Sequence, residues 1–143
     1  MTDSPFDILL VEDDPADAAL ALRALGQSSA PTRVHHVRDG EECLRFLRRQ
    51  GPDFTDAPRP SLILLDLNMP RVNGHEVLVA VKEDESLRRI PIVVLTTSDF
   101  EHDVVRSYNL GANSFITKPV DVEQFMTLIR AVESYWLNLV SLP

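Results

Sequence analysis

Short apolar runs alternate with longer amphipathic stretches along this chain. The runs cover residues 8–11, 34–37, 62–65, 92–95 and 115–117. The first, third and fourth are almost continuous in Ile, Leu and Val. That pattern predicts strands buried on both faces, hence a parallel sheet covered by helices on each side. The second and fifth runs carry more polar residues and are expected nearer the edges.

Helical patterns fill the intervals. Asp14-Pro15-Ala16-Asp17 reads as a helix start, with Asp14 as N-cap, Pro15 in the first helical position and Asp17 in the first turn. Ala18, Leu22 and Leu25 continue that helix, and Gly26 ends it. A second helix is expected over 40–49 with Cys43, Leu44 and Leu47 inward, and a third over 73–84 with Val77, Leu78 and Val81 inward. A fourth is expected over 99–110, stopped by Gly111. The fifth, from 121 to about 139, opens on Asp121 with Gln124 three residues later, a capping-box spacing. The Pro- and Asp-rich stretch 51–61 reads as an irregular loop. Strand followed by helix, five times over, predicts a single α/β domain across 1–143 with a doubly wound sheet and five helices. Order 2-1-3-4-5 is the commonest arrangement of five such strands, although periodicity alone leaves the order open.

Open sheets of this kind bind ligands beyond the carboxyl ends of their strands. There the first strand delivers Glu12, Asp13 and Asp14, the third Asp66, the fourth Thr96 and the fifth Lys118. Neighbouring carboxylates repel one another, and a hard divalent cation with oxygen ligands relieves that repulsion. With such a cation in place, one carboxylate can attack phosphorus and form an acyl phosphate. A hydroxyl and a lysine can hold the remaining phosphoryl oxygens. Read singly, each residue has a plainer explanation. Asp14 is a helix cap, Glu12 and Asp13 a solvated strand end, Thr96 a β-branched strand residue and Lys118 a surface lysine. Their convergence from four strands favours the chemical reading. His35, His36, His75 and His102 lack zinc spacing.

Composition narrows the role. Of the 143 residues 44% are hydrophobic, enough for one core. No apolar run approaches the roughly 18 residues of a membrane span, and no basic segment precedes the first apolar stretch. The lone Cys43 excludes an internal disulfide and reads as a small core residue, so a cytoplasmic location is expected. A formal charge of −8 disfavours nucleic-acid and anionic-lipid partners.

The stretches ILLVEDDP, LILLDLNMPRVNG, IPIVVLTTS and FITKP, in this order and spacing across essentially the whole chain, resemble the receiver domains of bacterial two-component response regulators. The resemblance implies a flavodoxin-like fold. It makes Asp66 the phosphoacceptor, and Glu12 and Asp13 the acidic pair holding Mg2+ together with Asp66 and the backbone carbonyl of Asn68. It makes Thr96 the switch hydroxyl, Phe115 the aromatic switch and Lys118 the phosphate-binding lysine. Gly74 matches the turn glycine before the third helix. Lys118-Pro119 is commonly a cis peptide in this family. The proline-bearing loop, LTTS and the ending SYWLNLVSLP further resemble small response regulators that partner phytochromes, the red-light-sensing histidine kinases. Thr97 departs from the commoner Ala or Gly after the switch hydroxyl, and its larger side chain narrows access to the phosphoryl group. The partner implied is a sensor histidine kinase, since the chain has no GxxxxGK[ST] phosphate loop of its own.

Two alternatives stand beside this reading. Haloacid-dehalogenase phosphatases also combine Asp, Thr, Lys and Mg2+, but they carry a second Asp where this chain has Asn68. A binding module of receiver fold needs none of Asp13, Asp66, Thr96 and Lys118. The last helix carries one apolar stripe at Val122, Phe125, Ile129, Val132 and Trp136, expected to face the core. A second stripe, Leu128, Ala131, Tyr135, Leu139 and Leu142, lies on another face. It either folds back on its own domain or forms a homodimer surface through residues from about 135 to 143.

Overall fold

The computed structural model describes residues 6–25, 32–66, 74–96, 114–119 and 121–140. Five parallel strands, β1 (Phe6–Val11), β2 (Thr32–Val37), β3 (Leu62–Asp66), β4 (Ile92–Thr96) and β5 (Ser114–Thr117), form one sheet in the order β2-β1-β3-β4-β5. Described helices are α1 (Pro15–Leu25), α2 (Gly40–Arg48), α3 (Gly74–Glu83) and α4 (Val122–Val140). The helix expected over 99–110 lies outside the described residues, as do Asn68 and Leu142 and the side chains of Thr96, Phe115 and Leu139.

Alternation along the central strands feeds two cores. Leu9, Val11, Ile63, Leu65, Ile92 and Val94 face Cys43, Phe46 and Leu47 of α2 and Val77, Leu78 and Val81 of α3. Ile8, Leu10, Leu62, Leu64, Val93 and Leu95 face Ala21, Ala24 and Leu25 of α1 and Phe125, Ile129, Val132 and Trp136 of α4. Two buried faces favour apolar residues at successive positions, which is why residues 8–11 of β1 and 62–65 of β3 read as unbroken hydrophobic runs. The more polar β2 and β5 take the edges.

The helix starts follow local chemistry. Asp14 Oδ1 accepts from the backbone amides of Ala16 (2.8 Å) and Asp17 (3.3 Å). Asp39 caps α2 by accepting from Glu42 N at 2.8 Å. Asp121 accepts from Gln124 N at 2.9 Å and so caps α4.

Several details differ from the sequence expectations. In α2, Phe46 joins Cys43 and Leu47 on the core face at the i, i+3, i+4 spacing, while Leu44, expected inward, is only half-buried. Phe46 reaches further and meets the ring of Phe54 at 5.7 Å. Val122 is 51% exposed, because it opens α4 beyond the sheet that shields the later turns. The stretch 51–61 is irregular as expected, and it is held by Arg49 Nε donating to Ala57 O at 2.8 Å and by Phe54 seated on Phe46. The Lys118–Pro119 peptide is trans, the form an X–Pro bond intrinsically prefers.

Candidate phosphoryl-acceptor site

Sheet register builds the site. Val11 pairs with Leu65, so the next residues, Glu12 and Asp66, emerge side by side. Asp66 pairs with Leu95, and Thr96 pairs with Thr117, one residue before Lys118. The backbone of Thr96 therefore ends β4 on the same rim. Phe115 lies within β5, paired with Val94.

Glu12 is anchored at its backbone. Its N–H donates to Val37 O at 3.1 Å, and its carbonyl meets His36 Nε2 at 2.8 Å. Lys118 Nζ lies 2.5 Å from Glu12 Oε1, 3.2 Å from Asp17 Oδ2 and 3.7 Å from Asp66 Oδ2. Glu12, Asp66 and Lys118 are all buried, whereas Asp13 is exposed. Burial pushes the Glu12 carboxyl up to about 7, with the Asp66 charge adding to the rise and the Lys118 hydrogen bond opposing it. For Lys118, burial works against the ammonium. The Glu12 hydrogen bond, the charges of Asp66 and Glu12, and the Asp17 bond outweigh that penalty and hold its pKa above the ordinary lysine value.

Carboxylate oxygens of Glu12, Asp13 and Asp66 all lie within 4.8 Å of one another. Three carboxylates against the one Lys118 ammonium leave surplus negative charge, and all the donors are oxygen. That set fits a hard divalent cation approached from the exposed Asp13 side. The same surroundings leave a buried carboxylate, Asp66, beside a fixed cationic donor, as phosphoryl transfer requires. The structure thus brings together Glu12, Asp13, Asp66 and Lys118. Asp14 stands apart as a cap.

Sequence reasoning missed Asp17, whose carboxylate reaches Lys118. Its place in the first turn after the acidic strand end was legible. Its meeting with a residue so distant in sequence needed the closed sheet.

A model of the response regulator receiver domain matches residues 8–130. The chain is 44% identical over 139 residues to response regulator Rcp1 of Synechocystis sp., covering 97% of this chain and 94% of Rcp1. Among solved structures, the phosphorylated cyanobacterial phytochrome response regulator RcpA superposes with a TM-score of 0.90 at 45% identity, covering 94% of this chain and 95% of that one. The Mn2+-bound form of Rcp1 does so with a TM-score of 0.90 at 44% identity, covering 97% and 99%.

Proposed function

The chain belongs to the response regulator receiver domain family, signalling phosphoacceptors charged by sensor histidine kinases, and from that membership we propose that it takes its phosphoryl group on Asp66 from a phytochrome-type kinase. The observation that carries the assignment is the approach of Lys118 Nζ to Asp66 Oδ2 at 3.7 Å inside the carboxylate cluster. The kinase identity rests on the likeness to Rcp1 and RcpA.

In the transfer, an Asp66 carboxylate oxygen attacks the phosphorus of a phosphohistidine. The P–O bond forms as the P–N bond breaks, and the electron pair leaves on the imidazole nitrogen, which takes a proton. Lys118 donates to the phosphoryl oxygens, and the Thr96 hydroxyl takes another. Mg2+ held by Glu12, Asp13, Asp66 and the Asn68 carbonyl would spread the negative charge that develops. Burial of Asp66 limits the access of water to the acyl phosphate. Recruitment of Thr96 leaves room for Phe115 to turn inward, so a local charge change biases a two-state element. Switching from 1:99 to 99:1 requires about 5.5 kcal/mol of differential stabilisation. Gain and loss of this phosphoryl group are the only reactions we assign to the chain.

We assign the edge of α4 that borders β4 and β5 to contact with a second copy. Tyr135 is 61% exposed there, and together with Ala131, Val132, Trp136, Val93 and Ile116 it lines a hollow of about 280 Å3. Leu128 borders the same face, and Leu139 and Leu142 extend it on the sequence pattern alone. Among the described residues no helix is long and apolar enough to cross a membrane.

The decisive experiment is phosphotransfer from a phosphorylated phytochrome kinase, in red and in far-red light, to the parent and to Asp66→Asn. Label released by alkali or hydroxylamine, as an acyl phosphate is, is expected on the parent alone. Label of equal stoichiometry on the variant would overturn the acceptor assignment, and transfer only from unrelated kinases would overturn the choice of partner.

A further inference from the structure

An ammonium group has three hydrogens to donate. Lys118 directs one at Glu12 Oε1 (2.5 Å) and one at Asp17 Oδ2 (3.2 Å), while Asp66 Oδ2 stands at 3.7 Å, an ion-pair distance beyond hydrogen-bond length. The lysine is thus drawn toward β1 and α1, away from the carboxylate it serves. Asp17 is neither a strand-end ligand nor part of the carboxylate cluster around Asp66. It sits in the first turn of α1, its own backbone amide bonded to the Asp14 cap.

A first-turn acid is expected at a helix N-terminus for electrostatic reasons alone. Glu41 fills that role in α2. The helix dipole does not account for the carboxylate of Asp17 reaching a buried amine 101 residues away in sequence. Its side chain is one-third exposed and the Lys118 side chain only 5%, so the contact joins a solvent-facing helix to the buried centre.

We propose that Asp17 is a positioning residue, a latch that holds Lys118 back until a phosphoryl group on Asp66 takes the amine from it. The proposal rests on Asp66 as acceptor. A phosphoryl group brings oxygens that compete with Asp17 for the same N–H, so the amine exchanges one anion for another and α1 loses its tie to β5. Asp17 also places a negative charge near an incoming anion. Both effects oppose occupancy, and removing the carboxylate should relieve both.

Equilibrium binding of beryllofluoride, a phosphoryl mimic that bonds to a carboxylate, tests this in the presence of Mg2+ by fluorine NMR and calorimetry. Asp17→Asn and Asp17→Ala should each tighten binding by about three- to fivefold, the scale of a partly exposed ion pair. Asp17→Glu should restore the parent affinity. Glu41→Gln removes an equivalent first-turn charge from α2 and should leave affinity unchanged, which separates the latch from net charge. Affinities of Asp17→Asn and Asp17→Ala equal to the parent's, or an equal gain in Glu41→Gln, would overturn the latch. Asp66→Asn serves as the independent control. If it binds beryllofluoride like the parent, the acceptor assignment fails. If binding is lost there while Asp17 variants behave as parent, only the latch fails.

Discussion

Glu133 illustrates how a single residue can work against the fold that contains it. It is 2% exposed on α4, and among the described residues its Oε2 has no hydrogen-bond partner. Burial raises its pKa above the ordinary glutamate value, and the Thr32 hydroxyl draws it only part of the way back. A carboxyl raised in the folded state adds stability below its unfolded pKa, and that contribution is lost as pH rises through the folded value. At neutral pH the buried charge is therefore a cost. Glu133→Gln should raise Tm by a few degrees at neutral pH, and the gain should vanish as pH falls toward about 4. Calorimetry across that range checks both sign and trend. Such a residue is hard to find in sequence, because a Glu within a helical pattern reads as solvated. By contrast, Glu12, Asp13, Asp66 and Lys118 were legible because each stands within two residues of the end of a predicted strand run, and a strand end can be counted without knowing its neighbours. Asp17 was not, since its partner depends on which strands lie together.

At the scale of the element, α2 and its flanking loop carry most of what periodicity could not supply. Asp39 accepts from Glu42 N, and Glu42 Oε1 accepts in turn from Arg38 N at 2.8 Å, so two otherwise unpaired amides at the helix start are satisfied reciprocally. Asp39→Ala should cost about 1 kcal/mol and lower Tm by about 4 °C. An unchanged midpoint in thermal unfolding would show that water replaces the cap. At the other end, Arg49 adopts a left-handed conformation (φ 53°) and donates across to Ala57. Pro and Asp content marked 51–61 as non-helical, but nothing in that composition announces a ring contact between Phe54 and Phe46. In α2 the i, i+3, i+4 spacing of Cys43, Phe46 and Leu47 marks the core face, and Leu44, nearly opposite Phe46 on the helix, lies at its margin. The core face of α3 was legible because Val77, Leu78 and Val81 recur at helical spacing, with Val79 left exposed on another face.

Over the whole molecule, the sheet order sets β4 and β5 both against the α4 surface and at the candidate rim. Continuity of Val93 and Ile116 with the hollow beneath Tyr135 ties the α4 surface to the strands that end beside the acceptor site. A contact there between copies should be lost when Tyr135→Glu is combined with Leu139→Glu, because two like charges would be buried against their counterparts. Sedimentation of parent and variant from low to high micromolar concentration checks this, and a parent that stays monomeric throughout would remove the proposed interface. The order β2-β1-β3-β4-β5 has a further consequence, for the chain's birth. β1 is completed by β2 on one side and β3 on the other, and β3 is synthesised only after two helices, β2 and the long loop. Parallel pairing has no hairpin to shorten the wait. A nascent chain therefore carries one edge of the fully apolar segment ILLV unpaired until β3 leaves the ribosome. During that interval it is the natural target for a chaperone, or for misassociation with a neighbouring nascent chain.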